Sequence, residues 1–363
     1  MKNVYGHNLT VTLFGESHGQ AIGAVIDGIA SGIKVDEDFI KSQLSLRRPS
    51  GSISTARSEE DNFKILSGVF GGVTTGTPIC IVIENQNTVS KDYSDIEGKA
   101  RPSHADFAAF MKYGGYEDYR GGGHFSGRIT AAIVAAGAII ISALKAKGVL
   151  IGTHIKECAG IADKNFDNIT DDIELLNTKE FAVLSDEKGE KMKENILKAK
   201  EEGDSVGGIL ETMVIGMPAG VGEPWFQTIE GMLSLGLFSI PAVKGVEFGM
   251  GFAFADMKGS EANDCFNSEN GEIKTLTNNN GGINGGITNG MPINFSTVIK
   301  PTPSIAKPQQ TVDFKNNENV TLSIKGRHDP CIVHRARVVV DSMTALTLAD
   351  FLVGRYGTDW LRG

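Results

Sequence analysis

The sequence predicts an α+β fold in which antiparallel β-sheets pack on helices. Short β-prone segments outnumber long helical ones, and several of them lie at the spacing of hairpins. We find neither an internal repeat nor a low-complexity linker, so we expect a single interleaved domain over residues 1–363. A charged helical segment near residues 164–204 is expected at the periphery of that domain.

The composition restricts the classes of function. Apolar residues make up 40% of the chain, which indicates a soluble globular protein. The formal net charge of −9 argues against nucleic-acid binding through bulk electrostatics, because a phosphate backbone needs a basic surface. An anionic ligand therefore requires a local cationic pocket. The four cysteines are scattered, with no CxxC pair and no secretory signal, as expected for reduced thiols in the cytoplasm.

The most apolar segment, residues 131–144, lies between Arg128 and Lys145. It is shorter than the about 20 residues that a transmembrane helix needs. We therefore expect a buried core helix there and no membrane partner.

The N-terminal strand 9–14 leads into the turn Gly15-Glu16-Ser17-His18-Gly19. The turn matches G-x-S-x-G, the nucleophile elbow of serine hydrolases, but that motif needs a helix after the turn. Residues 20–28 contain two glycines and several β-branched residues, which favour a second strand. We therefore expect an exposed turn between two strands that displays Glu16, Ser17 and His18. From this motif alone, His18 is either functional or incidental to a hairpin.

The next segment predicts a helix that Asp36 caps and that ends at Arg47-Arg48-Pro49. The small, polar loop that follows ends at Arg57. It predicts a mobile loop that carries anion-binding charge; the alternative is a solvated loop whose arginines form surface salt bridges.

The central part of the chain carries Arg120-Gly-Gly-Gly123 shortly before a helix that runs to about Lys147. Glycines ahead of a helix are typical of a backbone cradle for an anion. Their spacing matches neither the dinucleotide fingerprint nor the P-loop. The remaining predicted elements are a helix that begins near 103–106, strands near 65–69, 78–83, 149–155, 206–217, 246–255, 292–299 and 321–325, and helices near 187–202, 226–238 and 338–352.

Two constellations could carry chemistry. His328-x-x-Cys331-x-x-His334 has the spacing of metal ligands on a helix, but Pro330 interrupts it and no second cluster completes the set, so we predict no metal. The second constellation is a set of loop-borne cations, together with His18 and His104, which indicates a pocket for a multiply anionic ligand. These cations are Arg47, Arg48, Arg57, Arg120, Arg128, Lys300 and Arg327.

Six segments, in order along nearly the whole chain, resemble the chorismate synthase family. They are Phe14-Gly-Glu-Ser-His-Gly19, Arg101-Pro-x-His104-Ala-Asp106, Asp118-Tyr-Arg-Gly-Gly-Gly123, Ala242-Val-Lys-Gly-Val-Glu-Phe-Gly249, Lys300-Pro-Thr-Pro-Ser304 and Gly326-Arg-His-Asp-Pro-Cys331. The resemblance implies a homotetramer whose subunits sandwich helices between antiparallel sheets. It also implies the last step of the shikimate pathway, the anti 1,4-elimination of phosphate from 5-enolpyruvylshikimate 3-phosphate to give chorismate.

The resemblance further implies reduced FMN as cofactor, without net redox change; NADPH as an external source of reduction is left open. By this resemblance His18 assists phosphate departure as an acid, and His104 protonates the reduced flavin near N1. Asp329 acts with the flavin N5, which takes up the ring proton of the substrate. Arg48 and Arg57 resemble the ligands of the substrate anions, with Arg47 close by. The residues expected against FMN are His124, Phe125, Ser126, Gly127, Pro241, Ala242, Gly281, Lys300, Pro301, Thr302, Pro303, Ser304 and Arg327.

Three departures from the family pattern concern this site. Loop 49–57 lacks an arginine that many relatives carry between its ends, His124-Phe-Ser-Gly127 replaces Arg-Ser-Ser-Ala, and Ile240-Pro-Ala242 replaces Ile-Asn-Ala. We interpret them as marks of a variant subgroup. The competing hypotheses are a serine hydrolase that uses Ser17, a flavoprotein oxidoreductase, and a phosphate-binding module without activity.

Overall fold

The computed structural model describes residues 3–55, 60–86, 97–324 and 328–362. Within these residues the strands are β1 (Val4–Tyr5), β2 (Thr10–Gly15), β3 (Ala21–Asp27), β4 (Ser31–Lys34), β5 (Phe63–Ser67), β6 (Val69–Phe70), β7 (Val73–Thr75), β8 (Ile79–Glu84), β9 (Leu150–Cys158), β10 (Ile161–Ala162), β11 (Gly208–Ile215), β12 (Val243–Phe248), β13 (Phe266–Glu269), β14 (Glu272–Thr275), β15 (Ile283–Asn284), β16 (Ile287–Thr288), β17 (Ile293–Ile299), β18 (Gln309–Asp313) and β19 (Glu318–Leu322). The helices are α1 (Glu37–Arg47), α2 (Asp106–Tyr113), α3 (Thr130–Ala146), α4 (Ile169–Thr178), α5 (Asp186–Glu201), α6 (Ile229–Ser239), α7 (Gly259–Ala262) and α8 (Val333–Tyr356).

Two five-stranded antiparallel sheets form the framework. The first has the strand order β1-β2-β3-β8-β5 and the second β10-β9-β11-β17-β12. Strands β2 and β3 pair as a hairpin in which Gly15 lies opposite Ile22, so the turn Glu16–Gln20 projects from one end of the first sheet. The predicted strand, turn and strand around this motif are confirmed.

The long helices lie between the two sheets. Helix α3 contacts β2, β3 and β8 of the first sheet, α8 contacts β9 and β11 of the second, and the two helices contact each other. They approach closely because α3 carries glycine at the crossing: a Cβ at Gly137 would lie 2.3 Å from Cβ of Ser342. The chain is thus a mixed α+β protein with helices and antiparallel sheets, as predicted.

Several predicted elements differ in extent from those observed. The strand expected over 246–255 ends at Phe248, because Gly249 and Gly251 adopt φ values of 56° and 50° and residues 251–256 form a 3₁₀ helix. Helix α8 begins at Val333 and ends at Tyr356, well beyond the expected 338–352. The segment 164–204 contains α4 as well as the expected α5, and α4 packs against β9.

Helix α1 follows its prediction closely. The Asp36 carboxylate accepts a hydrogen bond of 2.9 Å from the Phe39 amide, which caps the first turn. Ile40 and Leu44 are buried on the inner face, and the helix ends at Arg47. Its last turn therefore brings Arg47 and Arg48 to one edge of the helical layer.

Residues Gly127–Ala146 form a helical run long and apolar enough to cross a membrane, and 78% of its most apolar window is buried within the protein. The run is longer than the segment 131–144 recognised in the sequence. Its burial between the sheets is that of a core helix, which passes the same test of length and composition.

Candidate active site

The turn at Ser17 and His18 lies buried beneath the glycine loop, and not exposed as the sequence predicted. Each side chain retains 8% exposure. The Ser17 amide donates to the Gly123 carbonyl at 3.1 Å. The Ser17 hydroxyl lies 3.2 Å from the carbonyls of Arg120 and Gly121 and 3.1 Å from Nδ1 of His18. Because a hydroxyl that donates to a carbonyl accepts from elsewhere, Ser17 fixes Nδ1–H of His18 as a donor.

The glycine loop gives His18 its position. Gly121, Gly122 and Gly123 have φ values of 59°, 84° and 52°, in the left-handed region that favours glycine. A Cβ at Gly121 would lie 2.3 Å from Cε1 of His18, and one at Gly123 would lie 2.1 Å from the Asp118 carbonyl oxygen. Gly121 therefore forms the wall against which the imidazole packs, and Gly123 allows the close approach to Asp118. The amide cradle for an anion stays a prediction.

An acidic and a basic side chain brace this wall. Asp118 receives hydrogen bonds from the Arg120 guanidinium at 2.7 and 2.8 Å and from the Arg120 amide at 3.1 Å. These bonds hold the pKa of Asp118 below its ordinary value although burial opposes the shift, and the charge that His18 can carry acts in the same direction. Arg120, predicted as a pocket cation, is thus neutralised locally.

His104 lies in a second cluster. Its Nδ1 donates to the Pro102 carbonyl at 3.1 Å, so Nε2 of the neutral ring accepts from the Ser304 hydroxyl at 3.1 Å. Lys300 Nζ donates to the Ser103 carbonyl at 2.8 Å. The Lys300 amide donates to the Ala242 carbonyl at 2.9 Å, which brings residues 241–242 beside this cluster.

Burial, together with the charge of Arg101, lowers the pKa of His104 to about 4, so its imidazole is neutral at pH 7. Arg101 is itself bound by Asp106 through Nε–Oδ2 and Nη2–Oδ1 contacts of 2.8 and 2.7 Å. That fork closes the first turn of α2 and holds the loop that carries His104. Burial and Lys244 lower the pKa of Lys300.

Asp329 lies in a third cluster, at the start of α8. Its Oδ1 accepts from the Thr55 amide at 3.0 Å and its Oδ2 from Nη1 of Arg335 at 2.7 Å. The Ser54 hydroxyl lies 3.0 Å from Nε2 of His334, and Ile53 and Ser54 are buried. The part of the predicted mobile loop that the structure describes, residues 50–55, is therefore packed against α8.

The three arginines predicted to bind substrate differ in their surroundings. Arg47 is buried and donates to Asp61 at 2.8 Å, and Asp61 also pairs with Arg128. Burial opposes the ionisation of Asp61, but the two guanidiniums hold its pKa below the ordinary value. Arg48, half-buried at the end of α1, has no ion-pair partner within the described residues. Arg57 lies outside the described residues.

The three clusters are joined through intermediate residues. Asn85 donates to the carbonyls of Glu16 and Gly19 and accepts from Arg128 Nε at 3.1 Å, which links the His18 turn to the Asp61 pair. On the other side, the Ser205 hydroxyl donates to the Thr302 carbonyl at 2.7 Å. The amide of the next residue, 206, donates to the carbonyl of Pro330. The 300–304 segment is thus tied to the Asp329 segment.

The segment 124–127, predicted to contact a flavin, adjoins the His18 cluster. His124 Nδ1 donates to the Gly15 carbonyl at 2.7 Å, and the Ser126 hydroxyl accepts from the Arg128 amide at the start of the α3 run. A Cβ at Gly127 would meet no atom of the described part of the chain within 4 Å, so this helix start is open with respect to those residues. Phe125 is partly exposed and packs edge-on against Tyr113.

The other residues predicted to contact a flavin contribute either an unusual backbone conformation or a side chain of the 301–303 segment. Ala242 adopts a φ of 77°, and Gly281 packs its backbone against Asn294 and Gly249, so both hold unusual local backbone conformations. Within the described residues the buried Thr302 hydroxyl has no hydrogen-bond partner, which leaves a polar group for a ligand. Pro301 is exposed, Pro241 is exposed and Pro303 is half-buried. Arg327 lies outside the described residues.

The three residues with the spacing of metal ligands, His328, Cys331 and His334, contact different partners. His328 Nε2 donates to the Ile324 carbonyl at 2.8 Å, His334 contacts Ser54, and the Cys331 sulfur lies 3.6 Å from that of Cys158. Among the described residues, no group of three or more His, Cys, Asp or Glu side chains is arranged to hold a metal ion.

Sequence reasoning missed several residues that shape the site. Asp61 and Arg335 carry no motif, and their roles depend on contacts with residues far away in the sequence. Asp118 lies in the segment Asp118–Gly123 that resembles the family. Its two-residue spacing to Arg120 is a sequence signal for a local carboxylate–guanidinium fork.

Comparisons with known proteins match one family over nearly the whole chain. A sequence model of the family Chorismate synthase matches residues 9–353. The chain is 48% identical over 351 residues to the chorismate synthase of Pyrococcus abyssi, covering 96% of this chain and 97% of that relative. It is 45% identical over 355 residues to the chorismate synthase of Dehalococcoides mccartyi, covering 96% of each. A crystal structure of a chorismate synthase matches with a TM-score of 0.77 at 30% identity, covering 98% of this chain and 94% of that one.

Proposed function

The chain belongs to the chorismate synthase family and is a lyase that eliminates phosphate from 5-enolpyruvylshikimate 3-phosphate to give chorismate, and we propose that His18, His104 and Asp329 perform this reaction. The elimination needs an acid for the departing phosphate, a place for the ring proton and cations for the substrate anions. Each of the three clusters supplies one or more of these groups.

We propose reduced FMN as the cofactor, which is the flavin that the family uses. When bound, reduced FMN supplies electron density to the electron-poor allylic system and a basic N5 that takes up the ring proton. The unpartnered Thr302 hydroxyl, the open helix start at Gly127 and the Lys300 ammonium support this assignment. They fit an anionic ligand with a polar ring system: a helix N-terminus and a cation favour phosphate, and a buried hydroxyl needs a polar partner.

His18 is the proposed acid for phosphate departure. Ser17 engages Nδ1, so the proton is given from Nε2. Its burial excludes water, which strengthens the attraction between an imidazolium and a departing phosphate. The charge that His18 can carry helps to lower the pKa of the neighbouring Asp118, so the two side chains attract each other when the ring is protonated.

His104 is the proposed proton carrier on the flavin side. An anionic group bound beside it raises its pKa from about 4 by Coulomb attraction, so the imidazole takes up a proton as the anion binds. Nδ1 keeps its proton for Pro102, and the proton taken up lies on Nε2. Ser304 then accepts from Nε2, or gives way to the ligand.

Asp329 is the proposed partner in removal of the ring proton. Each carboxylate oxygen accepts one hydrogen bond and keeps a further lone pair, so the group is fixed in place and can accept another hydrogen bond. Arg48, with no ion-pair partner in the described part of the chain, is the proposed ligand of a substrate anion, and Arg57 its proposed companion. Arg47 supports this end of α1 through its bond to Asp61.

The observation that carries the proposal for the site is the buried His18 ring, fixed by Ser17 and packed against Gly121. Phosphate release is measured without oxygen, with photoreduced FMN and the enolpyruvyl substrate. His18→Ala slows the release and leaves flavin binding, followed by absorbance, unchanged. His7→Ala, at a histidine whose side chain is 51% exposed, is the matched control and keeps the full rate. An unaltered rate in His18→Ala rejects the assigned role.

The alternative functions fail different tests. A fluorophosphonate probe labels a serine hydrolase. We expect no labelling because the Ser17 hydroxyl donates to a backbone carbonyl and accepts from Nδ1–H of His18, so the imidazole does not serve as its base. An oxidoreductase consumes NADPH without the phosphorylated substrate. The same assay with oxidised FMN, with and without NADPH, establishes whether NADPH serves as external reductant.

We also propose a single-domain subunit, a homotetramer and a cytoplasmic location, without nucleic-acid or membrane partners. One apolar core that includes residues from Leu9 to Leu361 supports the single domain. Trp225, Phe226 and Phe252 are 83%, 95% and 87% exposed, which supports burial between subunits because large apolar side chains seldom stand free in water.

A further inference from the structure

We propose that Arg335 is a positioning residue: it holds the Asp329 carboxylate at a set place relative to the end of α1, which carries Arg48. The inference rests on the proposed roles of Asp329 and Arg48. It adds a residue that acts through Asp329 and does not itself touch the substrate.

The Arg335 guanidinium is used in two directions. Nη1 donates to Oδ2 of Asp329 at 2.7 Å, and Nε donates to the carbonyl oxygen of Arg47 at 2.8 Å. The side chains of Arg335 and Asp329 are 15% and 19% exposed, so solvent competes only weakly for these bonds. One rigid planar group therefore spans the distance between the last residue of α1 and the carboxylate.

The second oxygen of Asp329 is fixed as well. The Thr55 amide donates to Oδ1 at 3.0 Å, from the loop that follows Arg48. With a donor on each oxygen, the plane of the carboxylate is set from two sides. Loss of Arg335 frees one side, and the carboxylate can rotate away from the substrate while Thr55 still holds the other.

Lysine cannot replace this arrangement fully. An ammonium group is a compact charge without the flat fork of a guanidinium, so it restores the bond to Asp329 or the bond to Arg47, but not both in the same geometry. If Arg335 acted through its charge alone, Arg335→Lys would keep the full activity. Activity that is only partly kept therefore indicates that the geometry of the guanidinium positions Asp329.

The test compares Arg335→Met and Arg335→Lys in anaerobic phosphate release with photoreduced FMN. We expect Arg335→Met to lower kcat by about 10- to 100-fold, the size of effect that misplacement of a reacting group by 1 Å produces, with a small change in KM. We expect the kcat of Arg335→Lys to lie between that of Arg335→Met and that of the unmodified protein. Arg355→Met, at an exposed arginine in the last turn of the same helix, is the matched control and keeps kcat. A rise in KM with unchanged kcat overturns the inference, because it indicates direct binding of substrate.

A double-mutant cycle with Asp329→Asn separates positioning from general support of the fold. If Arg335 acts through Asp329, Arg335→Met costs little further kcat once Asp329 is asparagine. An equal loss in both backgrounds overturns the inference, and so does full activity in Arg335→Met. If Asp329→Asn alone keeps full activity, the proposed role of Asp329 fails instead. Should Arg335→Met not fold, as judged by circular dichroism, Arg335→Lys carries the same cycle.

Discussion

A methyl group added at Gly121 tests whether the position of His18 limits the reaction. The new Cβ would lie 2.3 Å from Cε1 and 2.4 Å from Nδ1 of the imidazole, and 2.8 Å from the Ser17 hydroxyl. Carbon atoms in contact are about 3.5 Å apart, so either the ring or the loop must move by about 1 Å. A displacement of that size costs about 100-fold in rate when it affects a reacting group. We therefore expect Gly121→Ala to lower kcat for phosphate release by about that factor.

The neighbouring glycine provides a matched control. Gly121 and Gly122 both have left-handed φ values, 59° and 84°, so alanine at either position costs about 1–2 kcal/mol in backbone strain. Among the atoms of the described residues, a Cβ at Gly122 has only the Ser126 Cβ within 4 Å, at 3.9 Å. Both variants should lose this stability in urea unfolding, and Gly121→Ala should lose about 1–3 kcal/mol more through overpacking against His18, while Gly122→Ala keeps most of its kcat. Equal kcat values for the two variants would refute the reasoning.

Two further predictions concern buried charge. Asp61→Asn leaves two buried guanidiniums without their carboxylate, so we expect urea unfolding to show a loss of about 3–5 kcal/mol. Asp38→Asn, at a side chain that is 93% exposed, should change stability little, and equal losses in both variants would contradict this account. Burial lowers the pKa of His104 from 6.5 to about 4. Between these pH values the unfolded chain binds more protons than the folded one. The free energy of unfolding should therefore fall as the pH decreases from 6.5 to 4, and His104→Gln should weaken this dependence. An unchanged dependence in that variant would contradict the assignment.

The sequence predicted those elements whose residues carry local signals. The hairpin around Gly15–Gly19 and the cap of α1 at Asp36 are local, and both are confirmed. Helix α8 was predicted too short because it is buried on nearly all sides, so it lacks the polar face that marks a surface helix. The strand expected over 246–255 failed because large apolar residues alternating with glycine resemble a strand, whereas the glycines there break it.

The site was less accessible to sequence reasoning for a physical reason. The turn at His18 was expected to be exposed, yet Gly121 covers it from about a hundred residues further along the chain. Local pattern contains no information on such a contact. The same holds for Arg335, whose partners Arg47 and Asp329 meet only when α1 and α8 pack together.

The net charge of the candidate site depends on which arginines form ion pairs with carboxylates, and not on the number of arginines. In the described residues Arg47 and Arg128 share Asp61, and the forks at Arg101 and Arg120 engage one carboxylate each. In the two one-to-one forks the guanidinium presents little net charge to a ligand, whereas the Asp61 group, with two guanidiniums on one carboxylate, keeps a net charge of +1. The forks at Arg101 and Arg120 therefore shape the site more than they attract an anion.

Two further cations of the candidate site lie outside these pairs. Arg48 has no ion-pair partner in that part of the chain, and Lys300 donates to a neutral carbonyl. Arg48 follows Arg47, whose carbonyl Arg335 joins to Asp329, and Lys300 lies beside His104. The two proposed anion ligands thus belong to separate clusters, which agrees with the proposal that one anion belongs to the substrate and another to the cofactor.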